Sequence, residues 1–344
     1  MSEFVVNPEA TQRIGVACEL TEMLAGFGVD GAALFGAFGL DPAALTPDTR
    51  LPFRTLLTLL DRAATLSGCE HLGVLCGLRF RLDHHGRIGA LMRSGSTLRQ
   101  ALEDFVTWQP GYSSGAIVYL HRREPDNAFG YGCYAGTAAG TRVLYDAILG
   151  VGIRMVRELA GPRANALEFQ VAHRAPSDAA IYARLLGAPV RFNRHETCLI
   201  LDDALLDTRL PGADAAARRR MLDAARQDGR WAGASFSMRV RHELRRALVA
   251  EEPLMAHVAD EIGISARTLR RRLDEEGTTF EALRDEVRRA VARELLELTD
   301  LPLGEIATIL GFASPGVFSE AFRRAAGTTP SLWRRERRPA AALA

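Results

Sequence analysis

The chain contains no lysine: its 43 basic residues are all arginine, set against 42 acids for a net charge of +1. That balance does not by itself point to nucleic acid. The missing lysine reads as codon bias, although arginine does suit bidentate contacts to phosphate and guanine. Long apolar runs are also missing, and without about 18 consecutive apolar residues no membrane span is expected. The N-terminus, MSEFVVNPEA, lacks a basic region followed by an apolar core, so no secretory signal is expected either. Cysteine is scarce and odd in number: Cys18, Cys69, Cys76, Cys133 and Cys198 fit neither a disulfide framework nor a zinc cluster and suit a reducing cytoplasm.

Motifs that carry chemistry are equally sparse. Cys69, His71 and Cys76 lie close together but lack a second paired motif, so buried structural thiols are expected rather than metal ligands. His84 and His85 are placed in a loop, RLDHHGRIG, and His121 with Glu124 does not make a helical HExxH. No nucleophile elbow, phosphate-binding loop or dinucleotide fingerprint occurs. The glycines of GAALFGAFG, Gly31 to Gly39, follow no strand and open no helix, and are assigned to helix packing and turns. No metal, cofactor or catalytic residue is expected, and the chain is not read as an enzyme.

What the chain does contain is a pattern stated twice. MAHVADEIGISARTLRRRL is followed by LGEIATILGFASPGVFSEAF, in which Ala259, Gly263 and Leu269 are repeated by Ala307, Gly311 and Val317 at a constant offset of 48. A helix-turn-helix needs a small residue where its helices touch, a glycine in the turn and an apolar anchor on the second helix. Val258 and Ile262 are answered by Ile306 and Leu310 on the buried face. Ser265 and Ser314 are helix caps, and Pro315 suits a first helical position. Between the copies, Phe280 to Leu298 carries Leu283, Val287, Val291 and Leu295 on one face. A helix there spans roughly 28 Å, and could hold two recognition helices near the 34 Å repeat of successive major grooves, about one turn of DNA. A generic helical bundle is the plain alternative.

Leu254 to Arg335 resembles the DNA-binding domain of the AraC/XylS family of bacterial transcription regulators. The hallmark positions are Ile306, Ala307, Gly311, Phe312, Phe318, Phe322, Gly327, Thr329 and Pro330. The resemblance implies double-stranded DNA as partner, read by Ser265, Arg267, Thr268, Arg270, Arg271 and Arg272 in the first unit. In the second unit it implies Ser314, Pro315, Gly316, Ser319, Glu320, Arg323 and Arg324. Within the first set, base reading falls to Arg267, Arg270 and Arg271. The second unit departs from the family pattern: Glu320 replaces a common arginine, and Pro315 and Gly316 offer no side-chain donors. From Ser235 to Arg338 there are 18 arginines against 17 acids, so distribution matters more than sum; RRERR at Arg334 to Arg338 makes a basic end.

The preceding segment, within a chain of 344 residues, reads as a mixed α+β domain. Helices are expected at Ile14 to Phe27, around Leu56, Leu59, Leu60 and Ala63, after the cap Thr97, and along Leu144, Ile148, Val151, Met155 and Val156. Strands are expected to begin at Ala116, Ala128, Ala166 and Thr197. Phe129, Tyr131 and Tyr134 line either a pocket or a plain core. This segment resembles the arabinose-binding-like sensor domain of one branch of the same family, which includes regulators of amino-acid use. The resemblance rests on Leu51 and Pro52, HLGVLCGLRF, GRIGALMRSGSTLRQAL and IYARLLGAPVRFNRHETCLILDDALLD.

The expected organisation is an α+β sensor and oligomerisation domain over 1–211, a linker over 212–234, an all-α double helix-turn-helix domain over 235–338 and a tail over 339–344. The linker either lets the domains reorient or is a solvated helix packed on one of them. The resemblance further implies a small-molecule effector, activation through RNA polymerase and a homodimer, while the cysteine pattern and the missing apolar runs suit a cytoplasmic location without membrane contact. Two other classes stand beside the regulator: a protein-binding helical adaptor, and a DNA-repair enzyme with a helix-turn-helix tail.

Overall fold

The computed structural model describes residues 10–134, 140–227, 235–250 and 254–337. At the start, β1 (Thr11–Arg13) pairs antiparallel with β2 (Arg50–Pro52), and α1 (Leu20–Ala25) and α2 (Gly31–Gly36) lie between them in sequence. The second of these helices corrects the expectation that GAALFGAFG opens no helix. Asp30 caps it by accepting from the Ala33 amide at 3.0 Å, and Gly31 packs so near Thr21 that a Cβ would meet the Thr21 Cα at 2.7 Å.

Four helices follow: α3 (Phe53–Ser67), α4 (Leu72–Leu78), α5 (Gly86–Arg93) and α6 (Leu98–Trp108). Leu56, Leu59, Leu60 and Ala63 are all buried on α3. The Thr97 hydroxyl caps α6, accepting from the Gln100 amide at 3.2 Å. The stretch around His84 and His85 is not a loop: Leu82–His85 is a 3-10 turn that leads into α5. Its charges and glycines suggest solvent, but Leu82, Ile88 and Met92 are buried, and the His85 ring stacks on Phe105 with centroids 4.8 Å apart. Cys69, Cys76, Cys133 and Cys198 are buried free thiols.

Five strands form the main sheet: β3 (Ala116–Arg123), β4 (Asp126–Cys133), β5 (Glu168–Gln170), β6 (Val190–Arg191) and β7 (Thr197–Leu201). Their order is β3-β4-β7-β5-β6, antiparallel except for the β5–β6 pair. The strand expected from Ala166 is trimmed to three residues, and the one from Ala128 ends at Cys133, with 135–139 outside the described residues. Successive side chains of a strand point to opposite faces. Val118, Phe129, Tyr131 and Leu199 join the main core with α7 (Thr141–Ala160), while Ile117, Tyr119, Ala128, Cys198 and Ile200 form small clusters on the other side.

After α8 (Ala180–Leu186) and α9 (Asp203–Leu206) comes α10 (Ala215–Gln227), inside the stretch expected to link two domains. There Arg218 grips Asp104 of α6 with two hydrogen bonds, at 2.9 and 2.6 Å. This part is a helix held on the N-terminal unit; 228–234 lie outside the described residues. The C-terminal unit comprises α11 (Phe236–Ala250), α12 (Met255–Ile262), α13 (Ala266–Glu275), α14 (Phe280–Leu298), α15 (Leu303–Ile309), α16 (Pro315–Ala326) and α17 (Pro330–Arg337). The bounds of α14 are those the apolar spacing predicts. Val240, Leu244 and Leu248 turn α11 onto the core shared with α12 and α14.

The back of α11 lies on the free side of the sheet. His242 meets Tyr134 edge to face at 5.7 Å, and the buried Arg245 sits where a Cβ on Gly132 would be 2.8 Å from its Nε. Arg245 pairs with the equally buried Glu294 of α14 at 3.0 Å. At the far end of α14, Arg174 donates to the carbonyls of Glu297 and Thr299 at 3.0 and 3.2 Å. A cation at a helix C-terminus satisfies orphan acceptors and suits the dipole. No helix among the described residues is long and apolar enough to cross a membrane.

Candidate nucleic-acid interface

The two helix-turn-helix units share one turn geometry. Gly263 and Gly311 have φ of 77° and 67°, a left-handed conformation that costs glycine nothing. The next amide closes the same bond in both, Ile264 to the Ala259 carbonyl and Phe312 to the Ala307 carbonyl, each 2.9 Å. Ala259 and Ala307 are buried where the helices touch.

Beyond the turn the constant offset fails. The second turn is one residue longer by Ala313, so Ser265 corresponds to Ser314, Leu269 to Phe318 and Leu273 to Phe322, an offset of 49. Leu269, Leu273, Phe318 and Phe322 are the buried anchors. Val317 is not one of them: it is 49 % exposed, a correction to the anchor role expected for it. The inserted residue rotates the second helix by one position, and the larger phenylalanine takes over the core.

Both caps form as expected. The Ser265 hydroxyl accepts from the Thr268 amide at 3.2 Å and lies 2.9 Å from the Thr268 hydroxyl. The Ser314 hydroxyl accepts from the Val317 amide at 3.3 Å, with Pro315 in the first turn. Opposite Leu269 and Leu273, α13 exposes Arg267, Arg270 and Arg271 along an open groove that Ala266 and Asp274 complete. Spacings of three and four put these side chains on one helix face. Arg271 keeps Glu275 at 3.6 Å with both largely exposed. Arg272 departs from the group: its guanidinium lies over the Phe236 ring of α11 at 5.4 Å.

The outward side of α16 is of different character. Pro315, Gly316, Val317 and Glu320 are exposed, Ser319 is half-buried, and Arg323 and Arg324 come only in its second half. Arg324 joins Arg288 and Arg289 of α14 along a groove of about 410 Å³ floored by Phe312, Phe318 and Ala321. Sequence reasoning missed Arg288 and Arg289; their position beside the inward-facing Val287 and Val291 was the available signal. Two arginines of the basic end at RRERR are structural: Arg334 donates to the Leu301 carbonyl at 2.6 Å and Arg337 lies 3.5 Å over the Trp333 ring, while Arg335 is exposed. Trp333 in turn donates to Glu297 at 2.9 Å. Arg338 lies outside the described residues.

Comparison with known proteins follows the same division. Residues 28–210 match the arabinose-binding domain of AraC transcription regulators, and residues 258–336 match a helix-turn-helix domain. The ornithine utilization regulator of Pseudomonas aeruginosa is 27% identical, covering 93% of this chain and 95% of that protein. The HTH-type transcriptional regulator VirS of Mycobacterium tuberculosis is 26% identical over 91% of this chain and 93% of its own. The crystal structure of the transcriptional regulator CdpR from Pseudomonas aeruginosa aligns over 89% of this chain and 96% of its own, at 22% identity and a TM-score of 0.44. With the N-terminal match alone spanning more than half of the sequence and the helix-turn-helix match following it, the chain belongs to the AraC family of transcription regulators.

Proposed function

We propose that the two recognition helices enter successive major grooves on one face of DNA and divide the labour unequally. The carrying observation is the exposed row of Arg267, Arg270 and Arg271 on a capped helix, set against Pro315, Gly316 and Glu320 on the other. Arginine bidentate to guanine is the commonest specific contact in the major groove, so α13 specifies sequence. The helix α16 positions the protein, with its Ser314-capped N-terminus and Arg323 and Arg324 directed at phosphates. Val317 adds an apolar contact suited to a thymine methyl. Glu320 repels phosphate unless it accepts from a cytosine amino group.

The N-terminal unit, residues 1–211, serves as sensor for a small-molecule effector, and the reader occupies 235–338 with 339–344 as tail; 212–234 join them. Support comes from the match to an effector-binding domain and from the direct docking of α11 on the sheet. We further propose a cytoplasmic, non-enzymatic activator that works with RNA polymerase, as a homodimer through the sensor unit. A footprint of the full-length protein on DNA upstream of its own and neighbouring genes, at two salt concentrations, tests this. Two adjacent protected grooves that fade at higher salt are expected, because phosphate contacts release counterions. Failure of the isolated 235–344 fragment to bind a randomised DNA pool as well would move the protein-binding adaptor to the front.

A further inference from the structure

Between the sheet and α7 lies a partly open cavity of about 80 Å³. Its walls are apolar, from Val118 and Phe129 on the sheet, Ile148, Val151 and Met155 on α7, and Phe105 on α6. Among the described residues, five polar side chains also reach it: Gln12, His85, Gln109, Tyr112 and Tyr131, the Tyr112 hydroxyl donating to the His85 carbonyl. The Oε1 atoms of Gln12 and Gln109, both ring nitrogens of His85 and the Tyr131 hydroxyl are buried there without a hydrogen-bond partner. Gln109 and Tyr131 are only 3% and 4% exposed. The Ser113 hydroxyl stands beside that of Tyr131 but outside hydrogen-bond geometry.

Buried polar groups are nearly always paired, and each one left unpaired costs about 1–3 kcal/mol. Several converging on one cavity mean that something else pairs them. Ordered water is the plain candidate, since the volume exceeds the roughly 30 Å³ share of one water. Yet most of the lining is apolar, and a few convergent polar groups in an apolar pocket are the usual form of a small-molecule site.

The lining also states what the occupant is. Among the described residues, no charged side chain lines the cavity. Burial, with Arg13 and His84 nearby, pushes His85 down to about 3, so its ring is neutral at physiological pH. Arg13 itself is held by Asp48 and by the His84 carbonyl, the latter at 3.2 Å. A zwitterion or carboxylate would enter without a counter-charge, at high desolvation cost.

We propose that this cavity is the effector site and takes a compact neutral molecule. It would be a single small ring or short chain whose one hydroxyl or N–H donates to the Gln109 Oε1. Benzene fits an apolar cavity of about 150 Å³, so a ring requires only modest movement of side chains such as Ile148 and Met155. The word effector rests on the regulator assignment above; binding itself does not. The position suits control, because Gly130 and Tyr131 line the cavity on the strand whose Gly132 abuts Arg245 of the DNA-binding unit.

Phenol, toluene, benzoate and L-ornithine, each titrated into the full-length protein by calorimetry, test the assignment, with DNA affinity measured separately by anisotropy. Phenol is expected to bind at least tenfold more tightly than toluene, and benzoate and ornithine not to bind. Gln109→Leu should remove the preference for phenol over toluene, and Ile148→Phe should abolish binding by filling the space while the protein still melts cooperatively. Equal binding of benzoate and phenol, or unchanged phenol affinity in both variants, overturns the proposal. So does failure of phenol and toluene to bind together with a high-resolution structure in which only water bridges Gln109, Gln12 and His85. Phenol binding without any DNA binding would instead overturn the regulator assignment and leave the cavity standing.

Discussion

Arg271 leaves α13 with 70% of its side chain exposed, Glu275 at 3.6 Å being its ion-pair neighbour. Arg271→Ala is expected to weaken DNA binding by about 1–3 kcal/mol and to relax base preference at one position, as read by a selected-site experiment. Arg272→Ala should cost less, because that guanidinium is turned onto Phe236. Glu320→Ala should leave specificity nearly intact. Selected sites that lose the same base in the Arg271 and Glu320 variants would refute the unequal division. Val317→Ser should reduce a thymine preference by on the order of 1 kcal/mol without lowering the melting temperature, since the side chain is exposed. Leu269→Ala, in contrast, removes a fully buried anchor and should cost about 2–5 kcal/mol in urea denaturation. The contrast between these two positions shows what a repeat conveys. Ala307 and Gly311 are legible from their partners because the turn geometry admits little else, whereas one extra residue, Ala313, moves the anchor from Val317 to Phe318 unseen.

Among the elements, α14 was legible to the residue and α11 was not recognised, and the difference is physical. The outer face of α14 is largely charged and its inner face apolar, so periodicity marks it. On α11 the apolar stripe of Val240, Leu244 and Leu248 is joined by His242 and Arg245, which a sequence assigns to solvent but which the sheet covers. Removing one partner of a buried ion pair strands the other charge at a cost of about 3–5 kcal/mol. Arg245→Met is therefore expected to destabilise the protein by that amount, and adding Glu294→Leu to recover most of it, as a urea denaturation series would show. No recovery would mean that Arg245 acts through packing on Gly132 instead. The cavity wall was partly legible: Phe129 and Tyr131 line it as the sequence allowed, but Tyr134 is on the opposite face against His242.

Across the whole molecule, histidine sets the expected pH response. His121, His195 and His242, on or beside the sheet face under α11, are each pushed down to about 4, chiefly by burial and for the first two also by Arg123. Unfolded, they titrate near 6.5, so between about pH 6.5 and 4 the unfolded chain binds more protons and stability falls as pH drops. Arg194, Arg245 and Arg246 add to the local positive field. Glu196 and Glu294, held above the usual carboxylate range by desolvation, work the other way at the acid end of that window. A melting temperature that declines from pH 7 to 5 is expected, with a smaller decline in His242→Phe; a flat profile would contradict it.

The sheet has no face to spare, one side being taken by α7 and the other by α11. That limits how the protein can be cut for study. A fragment ending at residue 227 would bare Ile117, Tyr119 and Tyr134 to water and leave Glu196 beneath them in the open. Such a piece should self-associate or need detergent. The reader cut free at residue 235 would carry Arg245 and Glu294 as a newly wetted pair on its surface. Low solubility of the first half and good behaviour of the second would be a property of where the scissors fell, not of which half can fold.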